Sequence, residues 1–482
     1  MIETKGAVLR GSSLCINGGV RRKGMKNTES SIAYKKRNFI TIFTKGDIFS
    51  KLSYFICGLA NMKNGQIVKG ALFLLMEAAY FVFLFIKGIG LLKELGTLGE
   101  NLQGMVFNED MGIFEVISGD NSMLILLYGV VTIVITAVFI ALWLTSIFSG
   151  EHARQLREAG KHVNSFLEDV KSLFNEKIHI LLLSVPVAGL TIFTVTPLIF
   201  MILMAFTNYD AEHQPPGNLF DWVGIKNFIT LLSSSDRLSS TFWPILGWTL
   251  IWGVLATFTC YFGGMILAII INSKGIRFKK FWRTIFVIVM AIPAFISLRI
   301  VATMLGERGI FNILLQQWGF TSSSIPFLTN VAWARVSVII VNFWIGVPVT
   351  MLMVSGILMN IPGELYESAK IDGAGPFTTF RKITFPYMLF VTTPYLISNL
   401  IGNFNNFGAI YFLTAGAPNS LEYFKGAGKT DLLVTWLYKL TKDSNDFNFA
   451  SAIGIIIFVI SAVITLITFQ RSQAVKNEEG FQ

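Results

Sequence analysis

The chain has 482 residues, of which 53% are hydrophobic and 14% charged, and its mean hydropathy is +0.61. An average soluble domain is about one-quarter charged, so a water-dispersed enzyme of this length is excluded in favour of one polytopic membrane body. The 39 Lys and Arg against 29 Asp and Glu leave a net +10. That excess sits in short loops beside apolar runs, as cytoplasmic loops require, and not in a nucleic-acid surface.

In chain order, residues 1–67 form a basic cytoplasmic segment with twelve Lys or Arg against three acids. The first apolar stretch begins near residue 70, too deep for a secretory signal peptide. The polar stretch M-K-N-T-E-S that opens at Met25 makes Met25 an alternative start to Met1. Residues 47–60 read as an amphipathic helix lying on the inner membrane surface. Crossing about 30 Å of hydrocarbon takes roughly 20 apolar residues as helix. Eight segments qualify: 68–92, 123–148, 178–207, 242–272, 284–305, 333–361, 387–414 and 447–470. None shows the alternation of a membrane strand, so the expected class is an all-α integral membrane protein. Its parts are the segment 1–67, two spans with a cytoplasmic loop over 68–177, a transmembrane core over 178–470 and a cytoplasmic tail, 471–482.

Loop charge orients the spans. Loop 93–122 has one Lys and six acids, whereas 149–177 has five basic residues. Loop 273–283 holds Lys274, Arg277, Lys279, Lys280 and Arg283 with no acid, while 208–241 has only Lys226 and Arg237 and 306–332 only Arg308. The alternation predicts eight spans with both termini in the cytoplasm; loop 415–446, with four lysines and four acids, is neutral. Loop 149–177 also reads as a cytoplasmic helix.

Chemistry is sparse. Cys15, Cys57 and Cys260 lack C-x-x-C spacing and the four histidines lack an H-E-x-x-H pairing, so no disulfide framework or metal site is expected. Residues 426–430, G-A-G-K-T, echo a phosphate loop, but the required first Gly is Tyr423; a plain loop is the expectation. The informative segment is 361–386, I-P-G-E-L-Y-E-S-A-K-I-D-G-A-G-P-F-T-T-F-R-K-I-T-F-P. Pro362 leaves the preceding span and Glu364 to Asp372 form a helix. Gly373 suits a left-handed C-cap, and Pro376 opens a second helix that runs toward Ile383 before Pro386 re-enters the membrane. The stripe Leu365, Ala369, Phe377 and Phe380 suits docking into a partner's groove.

This segment resembles the signature of membrane subunits of ATP-binding-cassette importers, E-A-A, three residues, Gly, nine residues, I-x-L-P. Here it is Glu367-Ser368-Ala369, Gly373 and Ile383-Thr384-Phe385-Pro386. Residues 341–348 (V-N-F-W-I-G-V-P) and 399–418 (N-L-I-G-N-F-N-N-F-G-A-I-Y-F-L-T-A-G-A-P) are similar to the larger membrane subunit of maltose/maltodextrin importers, over about residues 180–470; Ala417 departs from the family's frequent Gly. The resemblance implies a coupling helix-turn-helix between spans six and seven, with Glu367, Ala369 and Gly373 carrying the contact to an ATPase. It further implies a second permease subunit, two copies of a cytoplasmic ATPase that use ATP and Mg, an extracellular solute-binding protein, and no cofactor or catalytic residue on this chain.

Asn342, Asn399, Asn403, Asn405 and Asn406 lie in or near spans six and seven beside Trp344. Intramembrane polar groups point to function or to interhelical hydrogen bonds; amides donate and accept, as a hydroxyl-rich neutral ligand requires. By resemblance the sugar site falls on Asn342, Ile345, Gly346, Asn403 and Asn406, with Val349, Asn399 and Gly402 at its other positions. Val349 and Gly402 replace aromatic residues of the family, and Asn399 a small hydroxyl, which implies a wider pocket for longer or different oligosaccharides. The expected function is an oligosaccharide permease in the cell membrane, maltodextrin first among substrates. The alternatives are a permease for another oligosaccharide and a secondary transporter or channel, which would need inverted repeats and an ion site. Glu77 and Arg299 receive no role.

Overall fold

The computed structural model describes residues 38–108, 112–233, 236–273 and 275–471; Met1, Cys15, Met25, Lys274 and the tail 472–482 lie outside them. The long helices are α1 (Ile67–Thr97), α2 (Ser122–Glu158), α3 (Ile178–Met204) and α4 (Arg237–Asn272). Next come α5 (Lys279–Ala291), α6 (Ala294–Met304), α7 (Val331–Leu358) and α8 (Gly363–Ile371). The last are α9 (Phe385–Phe404), α10 (Phe407–Leu413), α11 (Leu433–Lys442) and α12 (Phe447–Arg471). Among the described residues six helices are long and apolar enough to cross a membrane, or seven if the α5–α6 pair is one span.

That pair bends by 91°, so the expected fifth span, 284–305, does not run straight. Pro293 has no N–H to continue the ladder and forces Ile292 into extended backbone (φ −93°, ψ 128°). The expected seventh span, 387–414, breaks at Asn405–Asn406, where the Asn406 side chain caps α10 by accepting the Ala409 N–H at 3.1 Å. A third departure is a hairpin of β1 (Gly104–Asn108) and β2 (Ile113–Ile117), paired antiparallel with Gly104 opposite Ile117. The all-α expectation holds for the membrane body only. These five-residue strands, rich in Ile, Val and Phe, match β propensity but are invisible to a search for 20-residue runs.

The described residues divide into two compact units, those up to Ala79 with Phe139–Lys177, and Tyr80–Val138 with those from Ile178 on. Helix α2 continues for 37 residues, about 55 Å, so the start of loop 149–177 is the end of the same helix, and its part from Phe139 on belongs to the first unit. Its Arg154 is buried against Glu151 at 2.7 Å. The segment 47–60 is not one surface helix: helices Ile48–Leu52 and Leu59–Lys63 flank a turn. In that turn the Cys57 N–H donates to Glu77 at 2.7 Å, which gives the span carboxylate a backbone partner. Beyond α2, helix Phe166–Phe174 starts in a Ser165–Glu168 capping box.

In the second unit α4 is the organising element. Its N-terminal third (Leu238, Phe242, Ile245) packs with Trp436, Leu440 and Ile453. Its middle (Trp248, Trp252, Ala256) packs with Val338, Val341, Ile410 and Leu413. Its C-terminal third (Tyr261, Met265, Ala268, Ile271) meets Met351, Val354 and Met388. Three clusters along one helix fix α7 and α9 against it, whereas α3 leaves Val185 and Phe193 exposed.

Candidate functional site

On α7 the positions Asn342, Ile345, Gly346 and Val349 recur at helical spacing and share one face. The Asn342 Nδ2 donates to Cys260 Sγ at 3.4 Å, and the Cys260 thiol donates to the Asn342 carbonyl at 3.6 Å. A Cβ on Gly346 would lie 2.6 Å from the same sulfur, so the absence of a side chain there lets α7 close on α4. Ile345 packs on the Trp248–Val338 cluster, and Val349 is exposed.

On α9 the residues Tyr395, Asn399 and Asn403 stack one turn apart. Asn399 Nδ2 donates to the Tyr395 hydroxyl at 3.1 Å, Asn403 Nδ2 to Asn399 Oδ1 at 2.8 Å, and Asn406 Nδ2 to Asn403 Oδ1 at 3.4 Å. This directional amide chain is anchored to α4 twice: Asn403 Nδ2 donates to Thr257 Oγ1 at 2.9 Å, and Trp252 Nε1 donates to the Asn403 carbonyl at 3.1 Å. Thr257 and Cys260 are neighbours on one α4 face, so the α7 and α9 groups converge on it. Gly402 is exposed, with nothing within 4 Å of a Cβ there.

The structure brings together Asn342, Gly346, Asn399, Asn403 and Asn406 around α4, and turns Asn405 away to donate to the Ile401 carbonyl at 3.2 Å. Sequence reasoning missed Thr257, Trp252 and Tyr395 as partners. The signal was present in the Thr257–Cys260 pair inside an apolar span.

The segment between α7 and α9 folds as two helices. In α8, Glu364 lies in the first turn and Lys370 in the last, each opposing the helix dipole. Gly373 sits at φ +73°, and the Ala374 N–H reaches back to the Ala369 carbonyl at 2.8 Å, closing α8 with the expected left-handed cap. Pro376 opens Pro376–Thr379, which passes through a π turn, Phe380–Thr384, straight into α9. The chain therefore does not break at Pro386. Tyr366 and Thr384 hydroxyls meet at 3.0 Å and tie the two arms.

The apolar stripe splits. Ala369 is buried and Phe380 packs inward on the Tyr261–Met388 cluster. Leu365, Phe377 (74% exposed) and Ile371 (87% exposed) face out beside the exposed Glu367. The G-A-G-K-T loop holds no phosphate cradle: its Gly428 N–H donates to the buried Asp431 carboxylate at 2.7 Å, which also meets Lys439 at 2.6 Å.

Residues 260–475 match the family of the binding-protein-dependent transport system inner membrane component. The chain is 34% identical over 432 residues to the maltodextrin transport system permease protein MdxF of Bacillus subtilis, covering 88% of this chain and 95% of that one. It belongs to this family of ABC importer permeases. It is also 33% identical over 425 residues to the galactooligosaccharides transport system permease protein GanP of the same organism, covering 88% of this chain and 97% of that one. A solved bacterial alginate ABC transporter, in complex with an alginate pentasaccharide-bound periplasmic protein, shares the fold with a TM-score of 0.51. It has 23% identity and covers 64% of this chain and 98% of that one.

The permease likeness extends well beyond residues 180–470, since it covers 88% of the chain. The protein is thus a multi-pass membrane permease of an importer that works with a binding protein, and ATP hydrolysis belongs to a separate subunit.

Proposed function

We propose that this permease forms the pathway for a neutral oligosaccharide, maltodextrin first. The observation that carries the reading is the amide chain Asn399–Asn403–Asn406 facing the same α4 surface as Asn342. Amides on two helices offer donors and acceptors to sugar hydroxyls without placing a charge in the membrane. Ile345, Gly346, Val349 and Gly402 complete the site. The names of the two relatives, one for maltodextrin and one for galactooligosaccharides, support an oligosaccharide. The open space at Gly402 favours a second reading, an oligosaccharide other than linear maltodextrin.

Counting α5–α6 as one span and α9–α10 as another, with the six long helices, makes eight, and loop charge then puts both termini in the cytoplasm. The turn 361–386 faces the same side. There Leu365, Ile371 and Phe377 dock in an ATPase cleft, with Glu367, Ala369 and Gly373 shaping the coupling contact. Two ATPase copies close on ATP, drag this loop and that of a second, smaller permease, and open the spans toward a loaded solute-binding protein. The driving force is the higher affinity of ATP for the closed state.

The test is uptake of labelled maltotriose by cells with and without the gene, and by cells carrying Gly373→Asp. Loss in both supports a maltodextrin importer coupled through 361–386. Normal uptake in both removes maltodextrin as the substrate, and loss in the deletion alone removes the coupling assignment.

A further inference from the structure

We propose that Thr257, on α4, is the residue that positions the Asn403 amide for the transported sugar, an inference that rests on the oligosaccharide reading above. A primary amide has two N–H donors and one oxygen with two lone pairs. Asn403 donates to Thr257 Oγ1 at 2.9 Å and to Asn399 Oδ1 at 2.8 Å, so both donors are engaged. Among the described residues its Oδ1 receives only the 3.4 Å contact from Asn406, which leaves a lone pair for a ligand hydroxyl.

The opposite amide orientation would set Asn403 Oδ1 against Asn399 Oδ1, two acceptors facing each other. It would also break the direction of the chain that ends on the Tyr395 hydroxyl. Asn399 Oδ1 and Asn406 Nδ2 set that orientation, Thr257 fixes the position of the amide from another helix, and Trp252 Nε1 holds the backbone of the same residue at 3.1 Å. The Thr257–Asn403 bond is buried, so water does not replace it when it is lost, and an unsatisfied buried donor is expensive.

Across the site Asn342 has, among the described residues, only the weak Cys260 sulfur as a side-chain partner, which leaves its Oδ1 and its second N–H for a ligand. The ligand class is therefore one that donates a hydroxyl to α9 and both donates and accepts at α7. Adjacent ring hydroxyls of a neutral sugar meet that pattern; an anionic sugar group would face the Asn403 acceptor unfavourably.

The experiment uses the complete transporter, with its ATPase, second permease and binding protein, in proteoliposomes, with maltotriose as the probe. Sugar moved and ATP hydrolysed are measured together. Thr257→Val keeps the shape and removes the acceptor. Sugar moved per ATP is expected to fall about tenfold, the size of one lost buried hydrogen bond. ATPase activity stimulated by the loaded binding protein is expected to stay within about twofold, and Thr257→Ser to restore the ratio.

A fall in ATPase activity in parallel with transport, or no recovery with Ser, marks a merely structural role and overturns the inference. If Thr257→Val does not assemble, Thr257→Ala is read by the same ratio. A ratio unchanged in the Thr257 variant but lowered by Asn403→Ala overturns this inference alone. A ratio unchanged in both Asn342→Ala and Asn403→Ala overturns the oligosaccharide site on which it rests.

Discussion

Replacing Gly346 by Ala tests how closely α7 and α4 must approach. The added Cβ would lie 2.6 Å from Cys260 Sγ and 3.3 Å from Cys260 Cβ. Non-bonded carbon contacts settle near 3.5–4.0 Å, so the sulfur is about 1 Å too close. Cys260 is buried and already engaged with Asn342, which leaves it little room to swing away. Overpacking of this kind costs about 1–3 kcal/mol, or the helices part and Asn342 moves with α7.

The expected result is a lower thermal midpoint of the purified complex, read by fluorescence size-exclusion, together with reduced uptake. Adding Cys260→Ala removes the sulfur and leaves the 3.3 Å contact, so the double variant should regain most of the midpoint. Gly402→Ala should not lower the midpoint, because nothing lies within 4 Å of a Cβ there and Ala suits a helix interior better than Gly. A double variant no more stable than Gly346→Ala, or a Gly402→Ala as damaging, would refute the close-approach argument.

Gly402→Phe should fill the open space on α9 and shift uptake toward shorter oligosaccharides, and a chain-length preference identical to the parent's would remove the wide-pocket idea. Ile371→Asp and Phe377→Asp change side chains with few contacts in this chain. Both should leave the permease folded while it fails to co-purify with its ATPase, and normal co-purification would place the docking surface elsewhere. Burial, and secondarily the nearby Glu77 carboxylate, push the Cys57 thiol up to about 11 from 9.0. Because the folded pKa is raised, that group's contribution to stability is complete below pH 9 and is lost as pH rises through about 11. At pH 8, iodoacetamide should label Cys57 in the folded protein about a hundredfold more slowly than after denaturation, read on its own peptide by mass spectrometry; equal rates would contradict the buried environment.

Local chemistry made much of this molecule legible. Uncharged runs of about 20 residues mark membrane helices wherever they fall, and Gly373 and Pro376 encode the end of one helix and the start of the next by backbone constraint alone. These are properties of a residue and its near neighbours in the chain. Where two local rules competed, the sequence was less decisive. Hydrophobicity carried the expected fifth span across Pro293 and the seventh across Asn405–Asn406, but the backbone bends or stops at both. At Pro386 the reverse occurred, and a π turn carried the helix through.

What tertiary structure alone decided is the direction each side chain faces. Asn403 and Asn405 are the same residue two positions apart, yet one is anchored on Thr257 and the other turns back on its own helix. Ala369 and Leu365 share one helical stripe, yet one is buried and the other exposed. Thr257 and Cys260 acquire their roles only because α7 and α9 close on the same side of α4, across 82 and 146 residues of chain. Helical periodicity states which residues share a face; which face meets another helix depends on packing between segments far apart in sequence, and no window along the chain contains that information.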